Sequence, residues 1–166
     1  WGKTGAGTGA TVGKILGSAL ASPGGIGAAT VEAMGVHVTA VVAVNACGDI
    51  IDPATGAVVA GTRSPQGGFL SMKQVVLSGN LGALTAGANT TIGCVLTDAA
   101  LDKVGANKLA SIAHNGLART ISPAHTDYDG DTLFALSAGA VKSDFNLLGI
   151  LAVEAVERAV LAAVRG

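Results

Sequence analysis

The residues of this 166-residue chain that could do chemistry lie at separated places. Lys14 ends a Gly- and Thr-rich run, and Asn45 closes a valine-rich stretch. Asn89-Thr90-Thr91-Ile92-Gly93 puts hydroxyls where a Gly/Ala/Thr segment gives way to a β-branched run. Asp127-Tyr128-Asp129-Gly130-Asp131-Thr132 spaces its carboxylates two residues apart. An amine, a carboxamide, a hydroxyl and paired carboxylates are the parts of nucleophilic and acid–base catalysis. Each also has a plain reading. Asn-Thr is a common turn, Asp-Gly-Asp is a turn or a cation-binding loop, and an Asn after Val44 can simply end a strand.

The elements that must position them can be read from periodicity. Ile26 to Glu32 is apolar, Met34-Gly35 is a turn, and Val36 to Ala46 is a buried strand that would deliver Asn45. Asp52-Pro53-Ala54-Thr55-Gly56 is a turn over which Val58 to Ala60 can pair back. Residues 62–88 are weakly patterned, and 78–88 reads as a flexible approach to Asn89. Thr90 to Leu96 predicts a strand, and the spacing of Leu101, Val104, Leu109, Ile112, Ala113 and Leu117 predicts a helix over 100–119. Asp98 is a candidate cap for that helix, and Ser122-Pro123 stops it. Leu133 to Leu136 is a strand, and a last amphipathic helix over 145–164 is capped by Ser143 or Asp144. There is no internal repeat. The mixture is α+β, with helices lying on an antiparallel sheet.

Composition narrows the function classes. Hydrophobic residues make up 49% and aromatics 3%, so the core is built from Ala, Val, Leu and Ile. Charged residues are only 13%, against about 25% in an ordinary soluble domain. So apolar a surface is expected to be buried against other chains, as in a homo-oligomer. A net charge of −1 with no basic run excludes a nucleic-acid binder. The most apolar stretches are broken by His37, Thr39 and Asn45, and by Glu154, Glu157 and Arg158, so no membrane span is expected. The chain opens on Trp1 without a secretory signal, and further sequence upstream is expected. Cys47 and Cys94 have no metal-ligand spacing and read as buried, reduced thiols of a cytoplasmic protein. His37, His114 and His125 have no such spacing either, so no metal and no cofactor is expected. His114 sits inside the predicted helix and reads as structural, whereas His125 can back the nearby acids. Gly7-Thr8-Gly9-Ala10-Thr11-Val12-Gly13-Lys14 imitates a phosphate loop, but Thr8 stands where its first glycine belongs and Ile15 where its magnesium-binding hydroxyl belongs.

Taken together the motifs resemble a known family. They are Gly-Ala-Gly-Thr-Gly-Ala-Thr-Val-Gly-Lys at 5–14, Val-Ala-Val-Asn at 42–45 with Gly48-Asp49, and Asp52-Pro53-Ala54-Thr55-Gly56. Asn89-Thr90-Thr91-Ile92, Ala113-His114-Asn115-Gly116-Leu117-Ala118-Arg119, and His125-Thr126 followed by Asp129-Gly130-Asp131-Thr132 complete the set. The chain resembles the DmpA-type self-cleaving hydrolases, which include L-aminopeptidase/D-esterase-amidases, β-peptidyl aminopeptidases and nylon-oligomer hydrolases. The resemblance covers almost the whole chain, which looks like the carboxy-terminal part of such a precursor.

The resemblance implies a four-layer α-β-β-α sandwich, incomplete without the amino-terminal half. It implies self-cleavage at Asn89–Thr90, with residues 1–89 ending one segment, residues 90–166 forming the other, and both belonging to one domain. Thr90 would be the nucleophile, its freed α-amine acting as base. Thr91 follows the scissile bond and in a strand points to the opposite face. Asn45 matches the residue that stabilises the oxyanion in turnover and in self-cleavage. Lys14 matches a lysine that tunes the nucleophile or supports cleavage, and Asp129 and Asp131 match residues that hold and polarise it. Two acids are closest to the nylon-hydrolase-like branch, and Asp127 is expected to be a solvent-exposed turn residue. The implied partners are the amino-terminal segment of the same precursor and further copies of the protein. The implied activity is hydrolysis of short peptides, β-peptides or amino-acid amides. The alternatives are an ornithine-to-glutamate acyltransferase on the same fold and an unprocessed, inert subunit.

Overall fold

The computed structural model describes residues 1–80 and 89–165. Two short strands, β1 (Thr11–Val12) and β2 (Ser22–Pro23), pair antiparallel ahead of a long hairpin. The hairpin is β3 (Gly25–Ala33) and β4 (Val36–Asn45), turned by Met34 and Gly35 at φ 51° and 76°. β5 (Asp49–Ile51) and β6 (Val58–Ala60) pair across the expected 52–56 turn. The stretch that looked weakly patterned holds a short pair, β7 (Thr62–Arg63) and β8 (Phe69–Leu70), and one short helix, α1 (Met72–Leu77). After it come β9 (Thr90–Ala99), α2 (Lys103–Thr120), β10 (Ile121–Ser122), β11 (Thr132–Val141) and α3 (Phe145–Arg165). The expected approach segment falls largely on 81–88, outside the described residues.

The main sheet runs β11-β9-β4-β3. It is mixed, where a purely antiparallel sheet was expected: β3/β4 and β4/β9 are antiparallel but β9/β11 are parallel. The reason is the long α2 between β9 and β11, since parallel neighbours need a crossover rather than a tight turn.

Period-two alternation places the core. Val36, Val38, Ala40, Val42 and Val44 of β4 are 0–1% exposed, under a helical layer whose buried residues include Leu109, Leu117, Leu148, Ala155, Val156 and Ala159. Each fully buried Val or Leu contributes about 1.5–3 kcal/mol. The opposite face is half covered. Register sets Phe134 beside Cys94 and Leu136 beside Leu96, on the side that Thr90 and Ile92 share. Ile92, Leu96, Phe134 and Leu136 are 38–63% exposed there. Among the described residues, α2 and α3 therefore cover one face of the main sheet, and the other face carries this row of exposed apolar side chains.

Local details revise some expectations. Asp98 does not cap α2. It accepts from His37 N at 2.9 Å and lies 2.8 Å from His37 Nδ1. The cap is Asp102, which accepts from Gly105 N at 2.7 Å. Strand pairing carries β9 to Ala99 and β11 to Val141, past the ends read from sequence. Of the two candidates for α3, Asp144 accepts from Asn146 N at 2.9 Å and Leu147 N at 3.1 Å. Cys47 is buried but Cys94 is only half-buried, because it lies on the open face. The buried Asp49 carboxylate accepts from Thr62 N at 3.0 Å and Met72 N at 2.6 Å, tying β7 and the start of α1 to β5. Burial raises its pKa above the usual carboxylate range.

Candidate active site

β4 ends on Asn45 and β9 begins on Thr90, and the two are direct partners in the antiparallel register. Their side chains therefore project from the same face. They line a concavity of about 280 Å³ with Ala6, Gly9, Ala10, Ala43 and Ile92. The Gly/Thr-rich run that imitates a phosphate loop forms one wall. Gly13 serves packing: it has φ 69°, and a side chain there would collide with the backbone at Gly61 and Thr62.

That wall orients Asn45. Thr11 N donates to Asn45 Oδ1 at 3.1 Å. Lys14 Nζ donates to the same oxygen at 2.8 Å and to the Asn45 carbonyl at 3.1 Å. Two donors on Oδ1 identify it as the carbonyl oxygen and leave the amide's N–H groups on its other side. Burial holds the Lys14 ammonium below its ordinary pKa, with Cys47 and Asp129 pulling it back up.

The loop before β11 meets the same strand junction without lining that concavity. Asp129 accepts from Cys47 N at 2.9 Å and from Thr126 Oγ1 at 2.6 Å. Asp131, whose side chain is 3% exposed, accepts from Thr91 N at 2.8 Å and lies 3.1 Å from His125 Nδ1. The loop also grips the residue before Thr90. Asn89 is 2% exposed, its Nδ2 donates to Tyr128 O at 3.2 Å, and its carbonyl accepts from Gly130 N at 3.0 Å. Thr90 Oγ1 donates to that same carbonyl at 2.5 Å.

The fold thus gathers Lys14, Asn45, Asn89, Thr90, Asp129 and Asp131 around one strand junction. The carboxylates reach the junction through backbone, at Thr91 and Cys47, and the hydroxyl of Thr90 contacts the carbonyl of Asn89. Asp127 is exposed, as expected. Thr91 turns into the core and is fully buried. His114 accepts from Leu133 N at 3.3 Å, a structural contact, with its ring 5.1 Å from that of His125. Burial, helped by His125, lowers the His114 pKa. The contacts of Thr11 N, Cys47 N and Gly130 N were missed in the sequence because a backbone N–H has no residue signature. A larger concavity of about 460 Å³ lies elsewhere, between α2 and α3, and is lined by Ile112, Arg119, Gly149 and Glu157 rather than by these residues.

Residues 1–166 match peptidase family S58. The chain belongs to that family. An uncharacterized aminopeptidase of Mycobacterium tuberculosis is 45% identical over 126 residues, covering 71% of this S58 chain and 36% of that protein. The 6-aminohexanoate-oligomer endohydrolase of Paenarthrobacter ureafaciens is 34% identical over 179 residues, covering 98% and 50%. Among solved structures, L-aminopeptidase D-Ala-esterase/amidase from Ochrobactrum anthropi is described as a new variant of the Ntn hydrolase fold. It aligns with a TM-score of 0.64 at 23% identity, over 98% of this chain and 44% of that one. The α+β fold is that of the Ochrobactrum anthropi structure, and the chain spans 36–50% of the length of the two curated relatives.

Proposed function

We propose that the full-length protein is a self-processing amide hydrolase whose nucleophile is Thr90. The observation that carries this reading is the Thr90 hydroxyl, 2.5 Å from the carbonyl oxygen of Asn89 and opposite Asn45. Thr90 Oγ attacks the Asn89 carbonyl, the acyl group moves from nitrogen to oxygen, and water hydrolyses the ester. Residues 1–89 then close one segment and 90–166 form the other, within one domain. The freed α-amine has a pKa of about 7.7–8.0, so at neutral pH a useful fraction can take the proton of its own hydroxyl.

In turnover the Thr90 hydroxyl attacks the substrate's amide carbonyl, which enters through the concavity beside Asn45. The Asn45 amide donates to the oxyanion, and Lys14 and Thr11 N hold it in place. Asp131 fixes the backbone just after the nucleophile, and Asp129 locks the loop to Cys47. The aminopeptidase and amidase names of relatives support short peptides and amino-acid amides with a free amino end, the motif resemblance adds β-peptides, and the endohydrolase name supports ω-amino-acid oligomers. The open apolar sheet face supports an amino-terminal segment of the same precursor as partner, in a homo-oligomer. No helix among the described residues is long and apolar enough to cross a membrane. The free cysteines support a cytoplasmic setting.

The test is a denaturing gel with mass spectrometry of the full-length protein. Two fragments meeting at Asn89/Thr90, together with release of amine from aminoacyl anilides, support the reading. A cleaved protein that transfers acyl groups to glutamate without hydrolysing anilides makes it the acyltransferase instead. An intact, inactive chain makes it an inert subunit.

A further inference from the structure

We infer that the backbone N–H of Gly130 is the oxyanion donor of self-cleavage, distinct from the Asn45 amide that serves turnover. The inference rests on the proposed self-processing at Asn89–Thr90 and assigns that reaction a stabilising group of its own.

The Asn89 carbonyl oxygen is where negative charge develops when Thr90 attacks. Gly130 N–H already points at it from 3.0 Å, within the range expected of an oxyanion donor. The carbonyl is held at that donor from both sides. Asn89 Nδ2 is fastened to Tyr128 O at 3.2 Å, and Asn89 bridges Asp129 in parallel register. On the far side of the scissile bond, Thr91 N is fastened to Asp131 at 2.8 Å. Residues 128–131 therefore span the bond and fix its plane. The concavity beside Asn45 is lined by Ala6, Gly9, Ala10 and Ala43 with Asn45, Thr90 and Ile92, and Gly130 is not among its lining residues. An incoming substrate carbonyl and the Asn89 carbonyl thus meet different donors.

The absence of a side chain at 130 has a second consequence. A Cβ there would stand 3.0 Å from Thr90 Oγ1. The hydroxyl, now hydrogen-bonded to the carbonyl oxygen, must swing toward the carbonyl carbon to attack, and a glycine leaves it that room. In the reaction the Oγ–C bond forms and the C=O electron pair moves onto the oxygen facing Gly130. The hydroxyl proton passes to the Thr90 nitrogen, and the C–N bond then breaks to give an ester and a free amine. Water cleaves the ester to the Asn89 carboxylate and the Thr90 hydroxyl.

The test replaces Gly130 by glycolate in the full-length precursor, so that one backbone N–H becomes an ester oxygen with no added atoms. Self-cleavage should slow about 10²–10³-fold, while kcat of enzyme assembled from separately made segments, carrying the same ester, should fall less than about tenfold. Cleavage at the parent rate, or equal losses in cleavage and turnover, overturns the proposal. A second measurement needs no activity. In the uncleavable Thr90→Ala precursor labelled at the Asn89 carbonyl, the ester should raise the carbonyl stretching frequency, and an unchanged band overturns the proposal. A parent protein that stays intact sinks the self-processing reading itself, and the proposal with it.

Discussion

Asn45 and Thr90 are Cα partners across the antiparallel β4–β9 pair, the last residue of one strand against the first of the other. Strand pairing therefore does the work of assembling the site. Any change that slips the register by one residue turns Thr90 into the core and Thr91 into the concavity.

Thr90 and Thr91 should respond in opposite ways. Thr90→Ala removes the attacking oxygen and should leave the full-length protein intact and inactive. Thr91 is fully buried, and its hydroxyl has no hydrogen-bond partner among the described residues. Thr91→Val keeps the shape and removes a desolvated polar group, so it should stabilise by about 1 kcal/mol and raise Tm by about 2–4 °C. Self-cleavage should continue. A Thr91→Val protein that unfolds earlier or stops cleaving contradicts the assignment.

Asn45 separates donor from acceptor. Asn45→Asp keeps an oxygen for Lys14 and Thr11 N but loses the N–H groups. In pre-split enzyme kcat should fall about 10²–10³-fold with little change in KM, because a donor to the oxyanion acts only as charge develops. A rise in KM at constant kcat would make Asn45 a substrate-binding residue. With Gly130 N–H serving the precursor, self-cleavage of Asn45→Asp should slow far less than turnover. Equal losses in the two reactions would instead mean that Asn45 serves both.

The buried thiol sets an alkaline limit on stability. Burial, with the Asp129 carboxylate adding and Lys14 opposing, pushes Cys47 from its ordinary 9.0 up to about 11. Below pH 9 the thiol is neutral folded or unfolded. Between pH 9 and about 11 only the unfolded chain ionises, so stability falls with rising pH, by on the order of 2–3 kcal/mol. Lys14 acts in the other sense. Its folded pKa lies below the ordinary 10.5, so its contribution rises with pH up to that value. Urea unfolding from pH 8 to 11 should show a decline that Cys47→Ala removes. A slope indifferent to that substitution counts against the account.

The open sheet face predicts an assembly defect. Phe134 is 63% and Leu136 55% exposed on the side that carries Thr90. Phe134→Glu with Leu136→Lys should leave the helical core intact, since that core lies on the other side of the sheet. If this face packs the proposed amino-terminal segment in a homo-oligomer, the same change should yield smaller particles in light scattering than the parent protein. Parent-like size and activity in this variant would mean that the face stays open.

The amino-acid sequence determined the elements and the cast. The valine alternation of 36–44 with Asn45 after it, the β-branched start at Thr90, and the periodic stretches that became α2 and α3 are local patterns, and local backbone physics makes them legible. The motif set from Lys14 to Asp131 was likewise readable as residue types. What only the tertiary structure decided was direction and pairing. Asp98 looked like a helix cap, yet it faces His37 across the sheet, because capping depends on where the chain turns rather than on residue type. The parallel β9/β11 pairing follows from where α2 packs. Asp131 reaches the strand of Thr90 through the Thr91 N–H, Asp129 reaches the Cys47 N–H, and Gly130 N–H meets the Asn89 carbonyl. Every residue but proline carries such a donor, so no sequence pattern marks the one that is used.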